Sequence, residues 1–421
     1  MPDEPAHAPL VEQVVELRGH ILDSGLLGQV LDEIRSRDAD YEIARFDVGK
    51  RHGDPSYLAI VVRSGSADAL AGLVAQLQAF GANPAEDADV SLAPAPTDGV
   101  LPDDFYCTTN LPTRVRVDGR WLAVDRPERD CAVAVEPSAP TARTVAIDDV
   151  TAGTLIACGV GGIQVTPRQR PRDGRAPSVV FDFGLSPELP QTVLVDRVAE
   201  AMQQARAAGT KVLVTAGSAV VTTGGVEPLS RLIRSGYVDV LVGGNALAVG
   251  DLRAAMFGAS SPTSARTAEQ PEHGREQHLR AVNRVRRAGS IAAAVAEGVV
   301  THGIMAEAVR HDVDVLLAAS VRDDALLPDT VRDTVEAQRR LRERIPEVGF
   351  ALAVATHLHA GAVANLLPAG VPLVTVDLNP TTVGRLAVPG VLHRAGIVTD
   401  AGLFLRELAQ RLAPRTSDSP R

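Results

Sequence analysis

The chain has 421 residues, of which 45% are hydrophobic, and a formal net charge of -10 at pH 7. Its length accommodates two or three domains with separate cores, and its hydrophobic content excludes disorder of the whole chain. The acidic balance argues against a broad electrostatic surface for nucleic acid or anionic lipid. With no leader-like segment and no apolar run of 18 residues, we expect a soluble, cytoplasmic protein that contacts neither membrane nor nucleic acid.

We expect flexible tails at residues 1–10 and 413–421. Between them, residues 11–98 carry the period-2 and period-3.6 patterns of a βαββαβ unit, which predicts a ferredoxin-like α+β module. The predicted strands are residues 14–22, 41–48, 57–63 and a last short one at 89–92, and the predicted helices are 25–37 and 67–80.

The Pro-rich stretch 92–102 predicts a linker. After it, residues 103–173 contain short apolar runs that begin at Thr113, Trp121, Cys131 and Thr154 and are separated by Gly, Asp and Pro. This pattern predicts a small β-rich domain.

From residue 178 to 412 the pattern changes to alternating strands and helices. Near-continuous Val, Leu and Ile strands between amphipathic helices are typical of a parallel sheet covered on both faces. The sequence therefore predicts an α/β, Rossmann-like C-terminal domain. The predicted strands begin at Ser178, Lys211, Val238, Val313, Phe350, Leu373 and Ala395, and the predicted helices are residues 192–208, 246–257, 330–344 and 401–412.

Small, polar or acidic residues follow six of these strands in succession. In an open parallel sheet, ligands bind beyond the carboxyl ends of the strands, so we predict a binding crevice there, most simply for a dinucleotide such as NAD. The Gly-x-Gly-x-x-Gly fingerprint is absent: Gly159-Val-Gly-Gly162 resembles it, but a strand pattern rather than a helix follows. The dinucleotide would instead lie against Gly243-Gly244-Asn245, where bare backbone precedes a helix.

Asp377 closes an apolar strand, and two roles are open for it: acceptor for ribose hydroxyls, or N-cap of the helix that begins near Asn379. His357 and His359 are two residues apart, a spacing that points them to different faces of a helix, and no further ligands for a metal site are nearby.

His278 opens a polar helical segment and could act as a general base, as a substrate clamp or only as a solvated helix end. In the run Arg322-Asp323-Asp324, Arg322 could meet the carboxylate of an amino acid and an aspartate its amine.

The cysteines Cys107, Cys131 and Cys158 have no CxxC spacing and an odd count, so they indicate neither disulfides nor a zinc site. We expect buried, unreactive thiols, with a nucleophilic cysteine as the alternative. Lysine occurs only at Lys50 and Lys211, which leaves few groups for imine chemistry.

Several runs together carry a family resemblance. The run from Val15 to Leu26 resembles the conserved region of the plant lysine-ketoglutarate reductase/saccharopine dehydrogenase enzymes. Later runs resemble archaeal-type ornithine cyclodeaminases, whose cyanobacterial members follow an arginine dihydrolase domain. The resemblance covers about residues 11–412, in order and without large gaps. The later runs are residues 105–113, 232–239, 244–249, 278–283, 322–324, 355–359, 376–379 and 396–400.

The resemblance implies an NAD-dependent ammonia-lyase, a homo-oligomer that converts L-ornithine, or a related basic amino acid, to L-proline, or a cyclic imino acid, and ammonia. Internal hydride transfer leaves NAD unconsumed, and no lysine imine is needed. We predict that His278 and Asp323 are catalytic and that Arg322, Arg280 and Asn110 bind the substrate. The resemblance also implies the residues that contact NAD. The NAD contacts would be Asn245, Ala246, Asp324, Thr356, His357, Leu358, His359, Asp377, Asp400 and Ala401.

Three positions depart from the family pattern. Thr222 and Gly250 stand where relatives carry histidine, and the approach to His278 has lost Gly and His residues. We therefore hypothesise that NAD binding is retained while the substrate or the proton transfer has shifted. The alternatives are an NAD-dependent dehydrogenase or cyclase acting on another small amine, and a non-catalytic regulator that binds NAD or an amino acid.

Overall fold

The structure is a computed structural model that describes residues 10–22, 25–51, 54–86, 88–167, 191–258, 271–386 and 394–414. The chain divides into two compact units. The first runs to residue 178 and includes the segment Asn365–Gly370, and the second comprises residues 179–364 and 371–421. The strand predicted at residues 178–183 and nearly all of both predicted tails lie outside the described residues.

The first sheet of the first unit is a ferredoxin-like module. Its elements are β1 (Val11–Gly19), α1 (Leu26–Ser36), β2 (Asp40–Asp47), β3 (Ser56–Ser64), α2 (Ala67–Gln78) and β4 (Asn83–Pro84). The four strands pair in the order β2-β3-β1-β4, all antiparallel. Val15, Leu17, Ile60 and Val62 of alternating strand positions are buried in one core with residues of both helices, as the period-2 pattern requires.

The second sheet of the first unit has seven strands: β5 (Ser91–Pro94), β6 (Thr113–Val117), β7 (Arg120–Asp125), β8 (Ala132–Glu136), β9 (Thr141–Val145), β10 (Leu155–Cys158) and β11 (Ile163–Val165). Their order is β11-β6-β7-β9-β8-β10-β5. Asp118 and Gly119, with φ of 48° and 75°, form the two-residue turn between β6 and β7, the left-handed backbone that a tight hairpin needs.

Two predictions at the junction of these sheets were wrong. The predicted fourth strand of the module, at residues 89–92, is not in its sheet: β4, only two residues long, takes that edge. Residues 91–94 instead pair with β10, so the first part of the predicted linker is a strand. A short strand is stabilised by its pairing partner rather than by its own sequence, which explains both errors.

The second unit is a seven-stranded parallel sheet of Rossmann type, as predicted. Its strands are β12 (Lys211–Ala216), β13 (Val240–Gly244), β14 (Asp314–Ala318), β15 (Thr330–Val331), β16 (Val348–Val354), β17 (Leu373–Asp377) and β18 (Arg394–Val398). The order is β15-β14-β13-β12-β16-β17-β18. Apart from the short edge strand β15, this is the 3-2-1-4-5-6 order of dinucleotide-binding sheets.

Helices cover both faces of this sheet. They are α3 (Gln191–Ala207), α4 (Ala219–Thr222), α5 (Val226–Arg234), α6 (Asn245–Phe257), α7 (Pro271–Ala288), α8 (Ile291–Ala296), α9 (Ile304–Arg310), α10 (Thr334–Arg344), α11 (Leu358–Leu366), α12 (Pro380–Leu386) and α13 (Ala401–Leu412). Phe350, Phe404 and Met202 are among the largest fully buried side chains in the described part of the chain. No helix in the described residues is long and apolar enough to cross a membrane.

Two helix predictions need correction. Residues 330–331 of the helix predicted at 330–344 form strand β15 beside β14, and α10 begins only at Thr334, with Asp333 as its N-cap. His278 was placed at the start of a helix, but α7 begins seven residues earlier, at Pro271. His278 therefore lies within a helix and not at a frayed end.

Candidate functional site

The centre of the parallel sheet is where its chain order reverses, between β12 and β16. The two strand ends approach closely there: a Cβ on Gly217 would lie 1.9 Å from the carbonyl oxygen of Ala355. Ala355 itself has a φ of 51°, the left-handed region that a side chain disfavours. Backbone strain of this kind concentrates at functional sites, and the crevice at a strand-order reversal is the expected ligand position.

The glycines after β13 leave the backbone bare at the start of α6. The helix follows the strand directly, and its N-cap, Gly244, offers no side-chain acceptor to the first-turn amides. A Cβ on Gly244 would come within 3.0 Å of the Cε1 atom of His359, so this strand end and the first turn of α11 are in contact. Uncapped amides beside glycine suit the pyrophosphate of a dinucleotide. The described residues therefore fit NAD.

Asn245, predicted to contact NAD, is only 1% exposed, and its side chain holds the loop that follows β14. Its Oδ1 accepts from the amide of Leu327 at 2.9 Å and the hydroxyl of Thr330 at 3.0 Å. Its Nδ2 donates to the carbonyl of Ala325 at 2.8 Å and, more weakly, to Oδ1 of Asp323 at 3.5 Å. The side chain thus positions residues 323–330, whereas Ala246, next in the chain, is exposed.

Asp323, one of the two predicted catalytic residues, has a carboxylate held by backbone. Its Oδ2 accepts from the amide of Ser320 at 2.7 Å, which closes the loop around the carboxylate. The negative charge of Asp323 acts on two imidazoles, those of His278 and His359, and opposes a lowering of their pKa values. Three residues that are 36 or more positions apart in the sequence therefore influence one another electrostatically.

Both imidazoles nevertheless have a lowered pKa. Burial lowers the pKa of His278, the positive charge of Arg253 lowers it further, and the charges of Asp324 and Asp323 only partly offset these effects. Burial likewise lowers the pKa of His359, whose Nδ1 lies 3.3 Å from the hydroxyl of Thr356. Both rings are consequently neutral at pH 7 and able to accept a proton.

Around α11, the four consecutive predicted residues have different surroundings. Thr356 is buried, His359 is partly buried, and His357 and Leu358 are exposed, Leu358 to 68%. The spacing of the two histidines thus separates them, as expected. An exposed leucine beside a polar crevice is a surface against which a planar ring can pack.

The two aspartates at the far end of the sheet both cap backbone. Oδ1 of Asp377 accepts from the amide of Asn379, and Asn379 in turn caps α12 by accepting from the amide of Thr381 at 2.9 Å. Asp377 is therefore part of the capping turn but not itself the N-cap. Asp400 is the N-cap of α13 and accepts from the amide of Leu403, ahead of the buried Ala401.

The predicted substrate-binding residues are dispersed. Arg322 is exposed beside Asp323, as is Asp324, which is one of the predicted NAD contacts. Arg280 is exposed two residues after His278, on a different face of α7, and pairs with Glu276 at 2.5 Å. Asn110 belongs to the first unit, where it is buried and its Nδ2 donates to the carbonyl of Leu367 at 3.0 Å.

Two of the three departures from the family pattern lie on the neighbouring helices α4 and α6, and the third, ahead of His278, is on α7. Thr222 is exposed, and a Cβ on Gly250 would meet the side chain of the adjacent Val221 at 3.7 Å. Asp251, next to Gly250, is fully buried and accepts from the amides of Ile304 and Met305 at the start of α9. Burial raises the pKa of Asp251 to about 6 despite these two bonds.

The cysteines carry no sign of nucleophilic chemistry. Cys131 and Cys158 are buried as expected, but Cys107 is exposed, against the prediction. Burial and the nearby Asp104 raise the pKa of Cys158 to about 11, and partial burial and Asp130 raise that of Cys107. A thiolate is therefore disfavoured at both positions.

Arg253 is a residue that sequence reasoning missed. It lies on α6, eight positions after Asn245, and its charge reaches His278 on α7. Eight residues are a little more than two helical turns, so Arg253 and Asn245 lie on the same side of α6. This spacing is the feature of the sequence from which a role for Arg253 could have been predicted.

Three family profiles together match most of the chain. Residues 12–111 match the LOR/SDH bifunctional enzyme conserved region. Residues 112–195 match the first region of "Arginine dihydrolase ArgZ-like, C-terminal", and residues 196–408 match its Rossmann fold. The last of these contains every predicted site residue except Asn110.

Individual proteins are also similar to this chain over most of its length. The ornithine cyclodeaminase of Methanopyrus kandleri is 41% identical over 95% of this chain and 97% of its own length. The crystal structure of apo ArgZ, an arginine dihydrolase from the ornithine-ammonia cycle in cyanobacteria, superposes with a TM-score of 0.84 at 35% identity. The match covers 98% of this chain but 60% of ArgZ.

A second solved relative holds ligands. The ternary complex of AgrE with ornithine and NAD+ is 35% identical, with a TM-score of 0.50 over 96% of this chain and 57% of AgrE. On the identity and coverage of the archaeal relative and on the Rossmann-fold profile, the chain belongs to the family of archaeal ornithine cyclodeaminases and ArgZ-like C-terminal regions.

Proposed function

We propose that the chain binds NAD and L-ornithine at the carboxyl ends of the second unit's strands and converts ornithine to proline and ammonia. The observation that carries the proposal is the arrangement around Asp323, a carboxylate held by the Ser320 amide and within electrostatic reach of two neutral imidazoles. The relatives named ornithine cyclodeaminase, and the AgrE complex with ornithine and NAD+, support it.

NAD is the cofactor in this proposal. The bare backbone of Gly243 and Gly244 and the uncapped start of α6 would hold its pyrophosphate, and Asp377 would meet a ribose. When bound, NAD supplies a two-electron acceptor that is restored within the same turnover, so the protein's task is to orient the substrate and to move protons.

The chain's own residues divide that task. Asp323 pairs with a substrate ammonium group, and the exposed Arg322 beside it pairs with the α-carboxylate. His278, neutral because burial and Arg253 lower its pKa, accepts the proton that must leave the substrate amine before it can react. Arg280 remains a predicted substrate contact, although it would have to exchange its ion pair with Glu276 for that role.

The other predicted contacts, Asn110 among them, stay predictions, as do the domain boundaries, the homo-oligomeric assembly and the cytoplasmic location. Asn110 would have to give up its bond to Leu367 to reach a substrate, so we expect it to act on stability rather than on KM.

The test is turnover by the full chain with ornithine and NAD. We expect proline and ammonia in equal amounts with no net NADH. Asp323→Asn should abolish turnover while NAD still binds, and Asp103→Asn, which changes an exposed aspartate of the first unit, should leave it intact. NADH accumulation would replace the proposal with a dehydrogenase, and binding without turnover would replace it with a regulator.

A further inference from the structure

We infer that the first unit contains a second ligand site, which binds a basic amino acid in a pocket walled by Arg18, Glu86 and Trp121. The inference goes beyond the proposed function. Only the expected preference for ornithine or arginine rests on that proposed function. The pocket has a volume of about 400 Å³, within the range of small-molecule sites. It lies between two sheet edges, formed by β4 with β1 on one side and β11 on the other.

Hydrogen bonds and close packing join the two sheet edges around the pocket. Asn83 joins the two edges with a pair of bonds: its Nδ2 donates to the carbonyl of Val165 at 2.8 Å, and its Oδ1 accepts from the amide of Val165 at 2.7 Å. Gln78, fully buried, donates to the carbonyl of Ile163 at 3.0 Å. Pro167 packs so closely on Gly81 that a Cβ there would lie 2.5 Å from the proline ring. A cavity fixed in this way needs little ordering to receive a ligand.

Its walls carry groups that complement both ends of an amino acid. Trp121, the only tryptophan of the chain, is 37% exposed, and an exposed indole face attracts cations. The exposed Glu86 adds a carboxylate to the same pocket. Arg18 pairs with Glu16 at 3.2 Å, but its side chain is 73% exposed, so its remaining N–H groups can donate to an α-carboxylate.

The balance of charge selects the ligand class. Glu16 also lines the pocket, but its oxygens are already bonded to the hydroxyl of Tyr57 at 2.6 Å and to Arg18 at 3.2 Å. Two carboxylates and one guanidinium leave the lining with one net negative charge. A basic amino acid carries one net positive charge and presents both an ammonium or guanidinium end and a carboxylate. Neutral amino acids and anions match less well.

Because Trp121 is the only tryptophan, it reports occupancy directly. We expect titration of the full chain, without NAD, with L-arginine or L-ornithine to produce a saturable change in tryptophan fluorescence with a Kd below about 1 mM. Glu86→Gln and Arg18→Gln should each weaken binding about tenfold, while Glu200→Gln, which changes an exposed glutamate of α3, should not. Calorimetry on Trp121→Phe, compared with the unaltered chain, should show a matching loss of affinity.

The site and the proposed activity can fail separately. Asp323→Asn should keep the fluorescence response while losing turnover, and a chain that responds without making proline refutes only the proposed activity. The second site is refuted if neither the fluorescence nor the calorimetry detects saturable binding of a basic amino acid outside the Asp323 site. It is also refuted if L-proline binds as tightly as L-arginine, or if Glu86→Gln binds normally.

Discussion

Asn245→Asp changes one buried amide nitrogen to oxygen and leaves the shape of the side chain unaltered. Its Oδ1 can still accept from Leu327 and Thr330. The new oxygen, however, faces the carbonyl of Ala325 at 2.8 Å, so a hydrogen bond is lost and a buried carbonyl loses its donor. That loss costs about 1–3 kcal/mol.

The same oxygen would lie 3.5 Å from Oδ1 of Asp323. Two unit charges at this distance repel by about 5 kcal/mol at an effective dielectric constant near 20, unless one of the two groups takes up a proton. Either outcome disturbs Asp323, by moving its loop or by neutralising its charge. We expect kcat/KM for ornithine to fall by about a hundredfold, which corresponds to about 3 kcal/mol.

Steady-state kinetics across pH is the assay, together with the melting temperature. Because the variant's carboxylate pair holds a proton that is lost only at higher pH, its remaining activity should depend on pH differently from that of the unaltered chain. Asn283→Asp, which makes the same change at an exposed position of α7, is the matched control. Unchanged kcat/KM and melting temperature in Asn245→Asp would refute the positioning role of this side chain.

Three further predictions concern the second unit. His278→Gln should lower kcat about a hundredfold. In the unaltered chain, activity should fall as the pH drops through a midpoint below 6.5, because protonation removes the base; a midpoint at or above 6.5 would contradict the lowered pKa of His278. Gly217→Ala, whose Cβ would lie 1.9 Å from the Ala355 oxygen, should destabilise the chain by about 1–3 kcal/mol and lower its melting temperature. Gly361→Ala, on helix α11 with open space around it, should not, and equal melting temperatures for the two variants would argue against the close approach. Asp251 has a pKa raised from 3.8 to about 6, so its folded form binds the proton more tightly than its unfolded form. Its stabilising contribution is therefore complete below pH 3.8 and is lost as the pH rises through 6, so the free energy of unfolding relative to Asp251→Asn should fall by up to about 3 kcal/mol between acid and neutral pH. A flat difference in chemical denaturation across that range would show that the carboxylate is not desolvated.

Part of the candidate site could be predicted from the order of residue types along the chain alone. Glycines after β13, an aspartate closing β17 and a polar run after β14 each mark a strand end, because buried parallel strands are apolar until they leave the core. The roles of the residues at these strand ends were harder to predict. Asn245 and Asp377 have the residue types of ligand contacts, yet the side chain of the first holds a loop and that of the second closes a turn. Whether a polar side chain faces a ligand or the backbone depends on neighbours far away in sequence.

The joining of distant residues could not be predicted from local pattern. Asp323, His278 and His359 come from the loop after β14, the middle of α7 and the start of α11. Their electrostatic interaction depends on the packing of α7 beside α6 and on the order of the strands. The pKa of His278 is also lowered by the charge of Arg253, and the distance between these two residues along the sequence gives no indication of that effect.

The alternation of apolar strands and amphipathic helices is enough to predict that the second unit is a parallel sheet with polar residues at the carboxyl ends of its strands. The sequence also predicts the βαββαβ order of the first module, apart from the position of its last strand. These features follow from periodicity and turn chemistry, which act over a few residues. Sequence patterns could not show that β12 and β16 are neighbours, that β4 rather than residues 89–92 completes the module, or which strand ends lie side by side. Strand pairing is set by long-range contacts that stabilise even two-residue strands, and no local preference encodes them.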